Sequence, residues 1–366
     1  MTPKERMMTA LRRQKPDRLP VTIHQWMQYH LKHFMGGVDQ LEAYRACGLD
    51  ASFTIYPHVP MKSLNWQYRC EDMGIKEGER FTRYVADTPG GQLTWTSAAN
   101  EYTCYVVEHP VKNKLDADNL LAYWPGFTMD HALTAREYDR VGDDGIVRGS
   151  VLSWAQVGGW QDFCEMVGTQ DAIYWAMDDG AWLHDWLTRW IDRKVEWIYR
   201  EMPGIKFDLI ELGGGAGSST VISPAMFDEF CVPYDRRVVM ALREVGFPTV
   251  YHTCGGMMAI LDRIPNNGAD ASETLSPPGV GGDIKTTEDQ VRVKKILGGR
   301  MALIGGIDQS GLLTNGTSAE IAAGVKECFE TFGAGGGYIC SASDHFFHSP
   351  VENLKAMARA AVECRY

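Results

Sequence analysis

The sequence predicts a single α/β barrel of the (β/α)8 kind, and three observations carry that reading. From about residue 140 onward, strand-like and helix-like stretches alternate with short connections, the order required by a mainly parallel sheet wrapped in helices. Two earlier strand candidates bring the count to eight, the number that closes a barrel. No linker-like Gly/Ser/Pro run and no internal repeat of roughly 20–50 residues divides the chain, so residues 1–366 read as one domain.

The elements follow in order. RLPVTIHQW and DASFTIYPH supply the first two strands, and DGIVRGSVL (144–152) the third. Helical stretches through 155–178 lead into the long helix GAWLHDWLTRWIDRKVEWIYREM. There Trp182, Trp186 and Trp190 recur every four residues beside Leu183, Leu187 and Ile191, the spacing of one buried helix face. KFDLIELGG (206–214) is the fourth strand. A helix then runs from SPAMFDEF through DRRVVMALREVG, with Ser223 as cap and Pro224 in the first turn. PTVYHTC, GADASETL (268–275), RMALIGGID (300–308) and GGGYICSAS (335–343) are strands five to eight. Helices are expected at 256–264, in TTEDQVRVKKIL, at 317–332 and in SPVENLKAMARAAVE. The stretch 66–112 breaks the alternation with QLTWTSA and YTCYVVEHPV and no long helix. It reads as a β-rich insertion forming a flap over one barrel end.

Composition narrows the partners. A net charge of −11 disfavours a nucleic-acid backbone. No run of about 18 apolar residues is present to span a membrane. The N-terminal MTPKERMMTALRRQKPDRLP is charged and amphipathic, unlike a secretory signal, so a cytoplasmic protein is expected. The nine cysteines are odd in number and scattered over a long chain, which speaks for buried thiols rather than a disulfide framework. A small molecule is the expected substrate, and a second copy of the chain stays open as a partner.

In such barrels the chemistry sits at the C-terminal strand ends. Those ends present His24 and Trp26, Tyr56 and His58, Glu211, His252 and Cys254, Glu273, Asp308, and finally Cys340, Asp344 and His345. His252, Cys254, Glu273 and Cys340 are zinc-ligand types, and thiolate, imidazole and carboxylate together suit a tetrahedral, borderline-soft ion. Glu211 and Asp308 are candidates for acid/base or orienting roles. His24, Trp26, Tyr56, His58, Phe346 and Phe347 would line an aromatic mouth and bind substrate. The glycine-rich ELGGGAGSS (211–219) lacks a P-loop lysine and the GxGxxG spacing.

Taken together, MTPKERMMTALRRQKPDRLPV, YHTCGGMM, GGID and SPVENLKAMARA resemble the uroporphyrinogen decarboxylase-like superfamily of TIM barrels nearly end to end. HTCGG is similar to the His-x-Cys-Gly of its zinc-dependent methyltransferases, which work with corrinoid proteins and coenzyme M. In the related cobalamin-independent methionine synthases a Glu on the next strand and a Cys near the last one complete the set. The resemblance therefore implies Zn²⁺ on His252, Cys254, Glu273 and Cys340, with the corrinoid carried by a separate binding protein. Two departures stand out. The arginine-rich segment with which true decarboxylases hold their substrate is IHQWMQYHLKHF here, without arginine. The last methyltransferase cysteine lies in a GCG turn where this chain has SDH, so Asp344 or His345 is a substitute for Cys340. The expected reaction is zinc-dependent methyl transfer from a methoxylated aromatic donor to a partner's corrinoid, an O-demethylation. The alternatives are transfer from a methylcorrinoid to a thiol of the coenzyme M kind, decarboxylation of a small acid, or a non-catalytic binding barrel.

Overall fold

A computed structural model of the chain describes residues 1–366. Eight strands form one parallel sheet: β1 (Val21–Thr22), β2 (Ala51–Thr54), β3 (Gly145–Gly149), β4 (Leu209–Gly213), β5 (Thr249–His252), β6 (Ala271–Thr274), β7 (Ala302–Ile307) and β8 (Tyr338–Ala342). Their order around the sheet is β1-β8-β7-β6-β5-β4-β3-β2, a nearly closed barrel with helices between successive strands. The seam between β1 and β2 is bridged by Asp50. Its N–H donates to the Val21 carbonyl at 2.8 Å, and its carboxylate accepts the Val21 N–H at 3.0 Å. Arg6 and Arg18 hold that buried carboxylate at 2.8 and 3.2 Å, which offsets the cost of burying its charge.

The bottom of the barrel is plugged by the first helix, Pro3–Leu11, started by a Thr2/Glu5 capping box. Its Met7, Ala10 and Leu11 pack on the inward residues Ile146, Leu209, Val250, Ala271, Ala302, Ile304 and Ile339. The larger core lies between the strands and the surrounding helices. The tryptophan stripe of helix Gly180–Glu201 belongs to it, with Trp186, Trp190 and Trp197 buried and Trp182 only partly so. Each buried indole also finds an acceptor: the Ala117 carbonyl at 3.1 Å, the Asp162 carboxylate at 3.0 Å and the Phe127 carbonyl at 2.6 Å. Truncating such a residue typically costs about 3–5 kcal/mol.

The segment expected to be β-rich forms a four-stranded antiparallel sheet, Gln67–Lys76, Glu79–Thr88, Gly91–Ala99 and Cys104–Glu108. Its Tyr68, Tyr84 and Trp95 stack on one another, and Trp95 meets Trp154 of the barrel edge-on at 5.4 Å. The helix expected at 256–264 does not form. Asp283 captures the N–H groups of Met257 and Met258, Pro265 adds none, and the chain makes turns ending in a 3-10 segment, Ile264–Asn267. No helix is long and apolar enough to cross a membrane.

Candidate active site

Strand parity places the functional side chains. Ile146, Leu209, Val250 and Ala271 point into the barrel. Arg148, Glu211, His252 and Glu273, two residues further on, therefore point inward one tier higher. Glycines let the tier close up at the end of β4. Gly213 has φ +98°, and a Cβ there would lie 2.5 Å from the His252 carbonyl oxygen. A Cβ on Gly215 would lie 2.9 Å from the Cys254 sulfur.

At the floor, Arg148 Nη2 donates at 2.7 Å to both Glu211 Oε2 and Glu273 Oε1. Glu273 Oε1 also lies 3.0 Å from His252 Nδ1 and 3.8 Å from His24 Nδ1. Burial penalises the Glu273 charge, but the Arg148 guanidinium, with His24 and His252, holds its carboxyl well below the usual range. An ionised Glu273 only accepts, so the proton of His252 belongs on Nδ1 and Nε2 is left facing outward. His24, Glu211, His252 and Glu273 bring their ligand atoms within 4.8 Å of one another. A guanidinium already bridges the two carboxylates of that group, and a divalent ion beside it would meet like-charge repulsion.

At the rim, the ligand atoms of His252, Cys254 and Asp344 also lie within 4.8 Å of one another, with His252 Nε2 4.0 Å from Asp344 Oδ2. Burial opposes charging of His252, yet the adjoining Cys254 and Glu273 raise its proton affinity well above that of an ordinary imidazole. Burial likewise opposes the Asp344 charge, which His252, His24 and His345 favour enough to lower its pKa. A cation between Nε2, sulfur and carboxylate would take the place of the second proton that these neighbours favour on His252. A nitrogen, a sulfur and an oxygen donor, without a competing guanidinium, fit a zinc-like ion. His345, 5.2 Å from His24 between ring centroids, is the neighbouring donor in a His24–Asp344–His345 group.

Several expected site residues lie elsewhere. Cys340 points out of the barrel, among Tyr338, Cys328 and Cys364, because Ile339 is the inward residue of β8 and alternation sends residue 340 the other way. Burial there raises its thiol pKa well above the ordinary value, the opposite of what a metal-binding thiolate requires. Asp344, past the strand end, occupies the rim instead. Glu273 joins His252 at the floor but not the group containing Cys254. Asp308 accepts the N–H groups of Ser310 and Gly311 at 2.9 and 2.7 Å, capping the turn after β7 outside both groups. Trp26 and Phe346 are buried and pack on each other, His30 and Tyr44, so they build the core beneath the mouth rather than its surface. Phe347 is half-buried against Tyr29 and Tyr102 at the periphery.

Tyr56, His58 and Glu211 do share a cavity of about 310 Å³, with walls completed by Trp124, Phe127 and Trp154. Burial pushes the His58 imidazole down to about 4, so it is neutral at physiological pH. Burial and the Glu211 charge raise the Tyr56 hydroxyl. Trp124, Trp154 and Ala155 also border a wider groove of about 990 Å³ beneath the four-stranded sheet. Sequence reasoning missed Arg148, Trp124 and Trp154. An arginine in the otherwise apolar DGIVRGSVL was the available signal, since a charge buried in a strand needs a partner.

Comparison with known proteins agrees with this architecture. The family model described as uroporphyrinogen decarboxylase (URO-D) matches residues 156–364. The methylcobamide:CoM methyltransferase MtbA of Methanosarcina mazei is 24% identical over 390 aligned positions, covering 100% of this chain and 99% of the relative. The protein of that name from Methanosarcina acetivorans is 25% identical over 162 residues, 43% of each chain. A methylated-thiol–coenzyme M methyltransferase of Methanosarcina mazei is 27% identical over 155 residues, so the match spans 38% of that relative. A solved methyltransferase from Methanosarcina mazei has the same fold, with a TM-score of 0.67 at 17% identity over 99% of both chains. The family match covers more than half of the sequence, and the chain belongs to the uroporphyrinogen decarboxylase family.

Proposed function

We propose that this member of the family is a corrinoid-dependent methyltransferase in which His252, Cys254 and Asp344 hold a zinc-like ion and a small thiol accepts the methyl group. The observation that carries the reading is the rim cluster: nitrogen, sulfur and carboxylate donors within 4.8 Å of one another, beside a substrate-sized cavity. The names of the relatives weigh for a thiol over the methoxylated aromatic that the mouth had suggested. Decarboxylation of a porphyrinogen is disfavoured, because neither lysine nor arginine lines the cavity to hold carboxylates.

Bound at the rim, the ion supplies Lewis acidity that lowers the pKa of a thiol from about 8.5 towards neutrality. The chain's own residues prepare that position. Glu273 accepts from His252 Nδ1 and fixes the tautomer, and Arg148 keeps Glu273 ionised. Glu211 joins the cavity to the cluster, 3.7 Å from His252 Nδ1. Overall, the methyl–cobalt bond of a methylated corrinoid breaks with both electrons left on the corrinoid, a sulfur–methyl bond forms, and the thiol proton leaves to solvent. The corrinoid arrives on a partner protein, as a co-substrate.

The test is metal analysis of the purified chain, then the spectral change of methylcobalamin with added thiol, before and after a chelator. About one ion per chain and chelator-sensitive demethylation are expected. Methyl transfer that persists unchanged without metal rejects the reading.

A further inference from the structure

We propose that the cavity beside the rim selects a thiol carrying an ammonium head group over one carrying an anion. This rests on the reading of that cavity as the acceptor site. Three features point to it. First, with the rim ion bound and His252 neutral, the charges do not cancel: Glu211 and Glu273 share the single guanidinium of Arg148, which leaves one negative charge in surplus. The Glu211 carboxylate is the part of that group that opens to the cavity, with its side chain 26% exposed.

Second, the walls are aromatic. Trp124 and Trp154 meet at 66° with centroids 5.4 Å apart, forming a corner closed by Tyr56 and Phe127. Indole and phenol faces carry negative potential and attract ammonium groups. Third, no positive side chain lines the cavity; Arg193, 5.3 Å from the Trp124 ring, donates to the Leu121 and Trp124 carbonyls and is not part of the wall. The lining has neither lysine nor arginine, and His58 is neutral above about pH 4. A sulfonate or carboxylate placed here would lose its hydration and face Glu211 without a counter-charge in the wall, whereas an ammonium would exchange water for a carboxylate and the aromatic corner. At about 310 Å³, the volume is at the small end of the range of roughly 300–1,000 Å³ for small-molecule sites.

The experiment compares three thiols that share a two-carbon chain: 2-aminoethanethiol, 2-mercaptoethanol and 2-mercaptoethanesulfonate. KM is measured for each with the full-length, metal-loaded chain and methylcobalamin. Calorimetric titration with tetramethylammonium chloride reports on the cavity without turnover. The aminothiol is expected to show a KM at least about tenfold below that of the sulfonate, with the neutral thiol between them. Glu211→Gln should narrow that spread, and Trp154→Leu should weaken tetramethylammonium binding. Equal KM values, or a lower one for the sulfonate, overturn the inference while leaving the methyltransferase reading intact. Tetramethylammonium binding with no thiol methylated does the reverse. Should either variant fail to fold, the three KM values and the titration of the unaltered chain still decide.

Discussion

The floor and the rim of the strand-end cluster share His252, yet they are balanced in different ways. At the floor, two carboxylates surround a guanidinium that has been buried with them. At the rim, a sulfur and a carboxylate face the outer nitrogen of the same imidazole with no fixed cation between them. The floor thus carries its own counter-charge, and on the proposed reading the rim takes one from a bound ion. Candidate ligand types alone do not identify a metal site: the counter-charge already present decides which of two neighbouring groups has room for an ion.

Changes at the rim should separate the two most strongly. His252→Ala or Cys254→Ala is expected to lower bound metal to less than about a tenth of an ion per chain and abolish methyl transfer with the fold retained, as read by metal analysis and circular dichroism. Retention of full metal in both variants would move the ion to the floor. Next in size, Arg148→Met leaves the buried Glu273 and the half-buried Glu211 without their cation and should cost about 3–5 kcal/mol in denaturant unfolding. The same variant gives a pH signature. Arg148 holds the Glu273 pKa well below its ordinary 4.5, so Glu273 contributes stability that is present above about pH 4.5 and lost as pH falls towards the depressed value. Removing Arg148 shrinks that depression, and the acid-unfolding midpoint should move to higher pH. An unshifted midpoint would mean that Glu273 is not held by Arg148.

A smaller effect is expected from Glu273→Gln, which can still hydrogen-bond His252 but no longer favours one tautomer. Metal affinity should fall about 10–100-fold, measured by competition with a chromophoric chelator. If Glu273 were itself a ligand, the ion would be lost altogether. Smallest of all, Cys340→Ala should leave metal content and turnover unchanged and lower stability by only about 1 kcal/mol. Loss of the ion in that variant would return Cys340 to the rim.

The legible part of the site was the part written in local spacing. His252 and Cys254 stand two residues apart at a strand end, and their meeting at one point needs little beyond that strand's own alternation. The choice between Cys340 and Asp344 was of another kind. Strands of a parallel barrel are buried on both faces, so YICSA reads as a continuous apolar run in which the inner residues cannot be told from the outer. Only packing against Cys328 and Cys364 shows that the thiol faces the helices. The same ambiguity hid Arg148, while Trp26 and Phe346, in the loops past their strands, are buried beneath the mouth by packing on His30 and Tyr44.

By itself, the sequence determined the alternation of strands and helices, the barrel count, the β-rich character of the insertion and the His-x-Cys pair, because hydrophobic period and turn chemistry act over a few residues at a time. Tertiary structure alone decided which carboxylates meet the guanidinium, which side chain stands at the rim beside His252 and Cys254, and which aromatics reach the cavity. Those choices depend on the facing and electrostatic balance of side chains far apart in the chain, and these exist only once the sheet has closed.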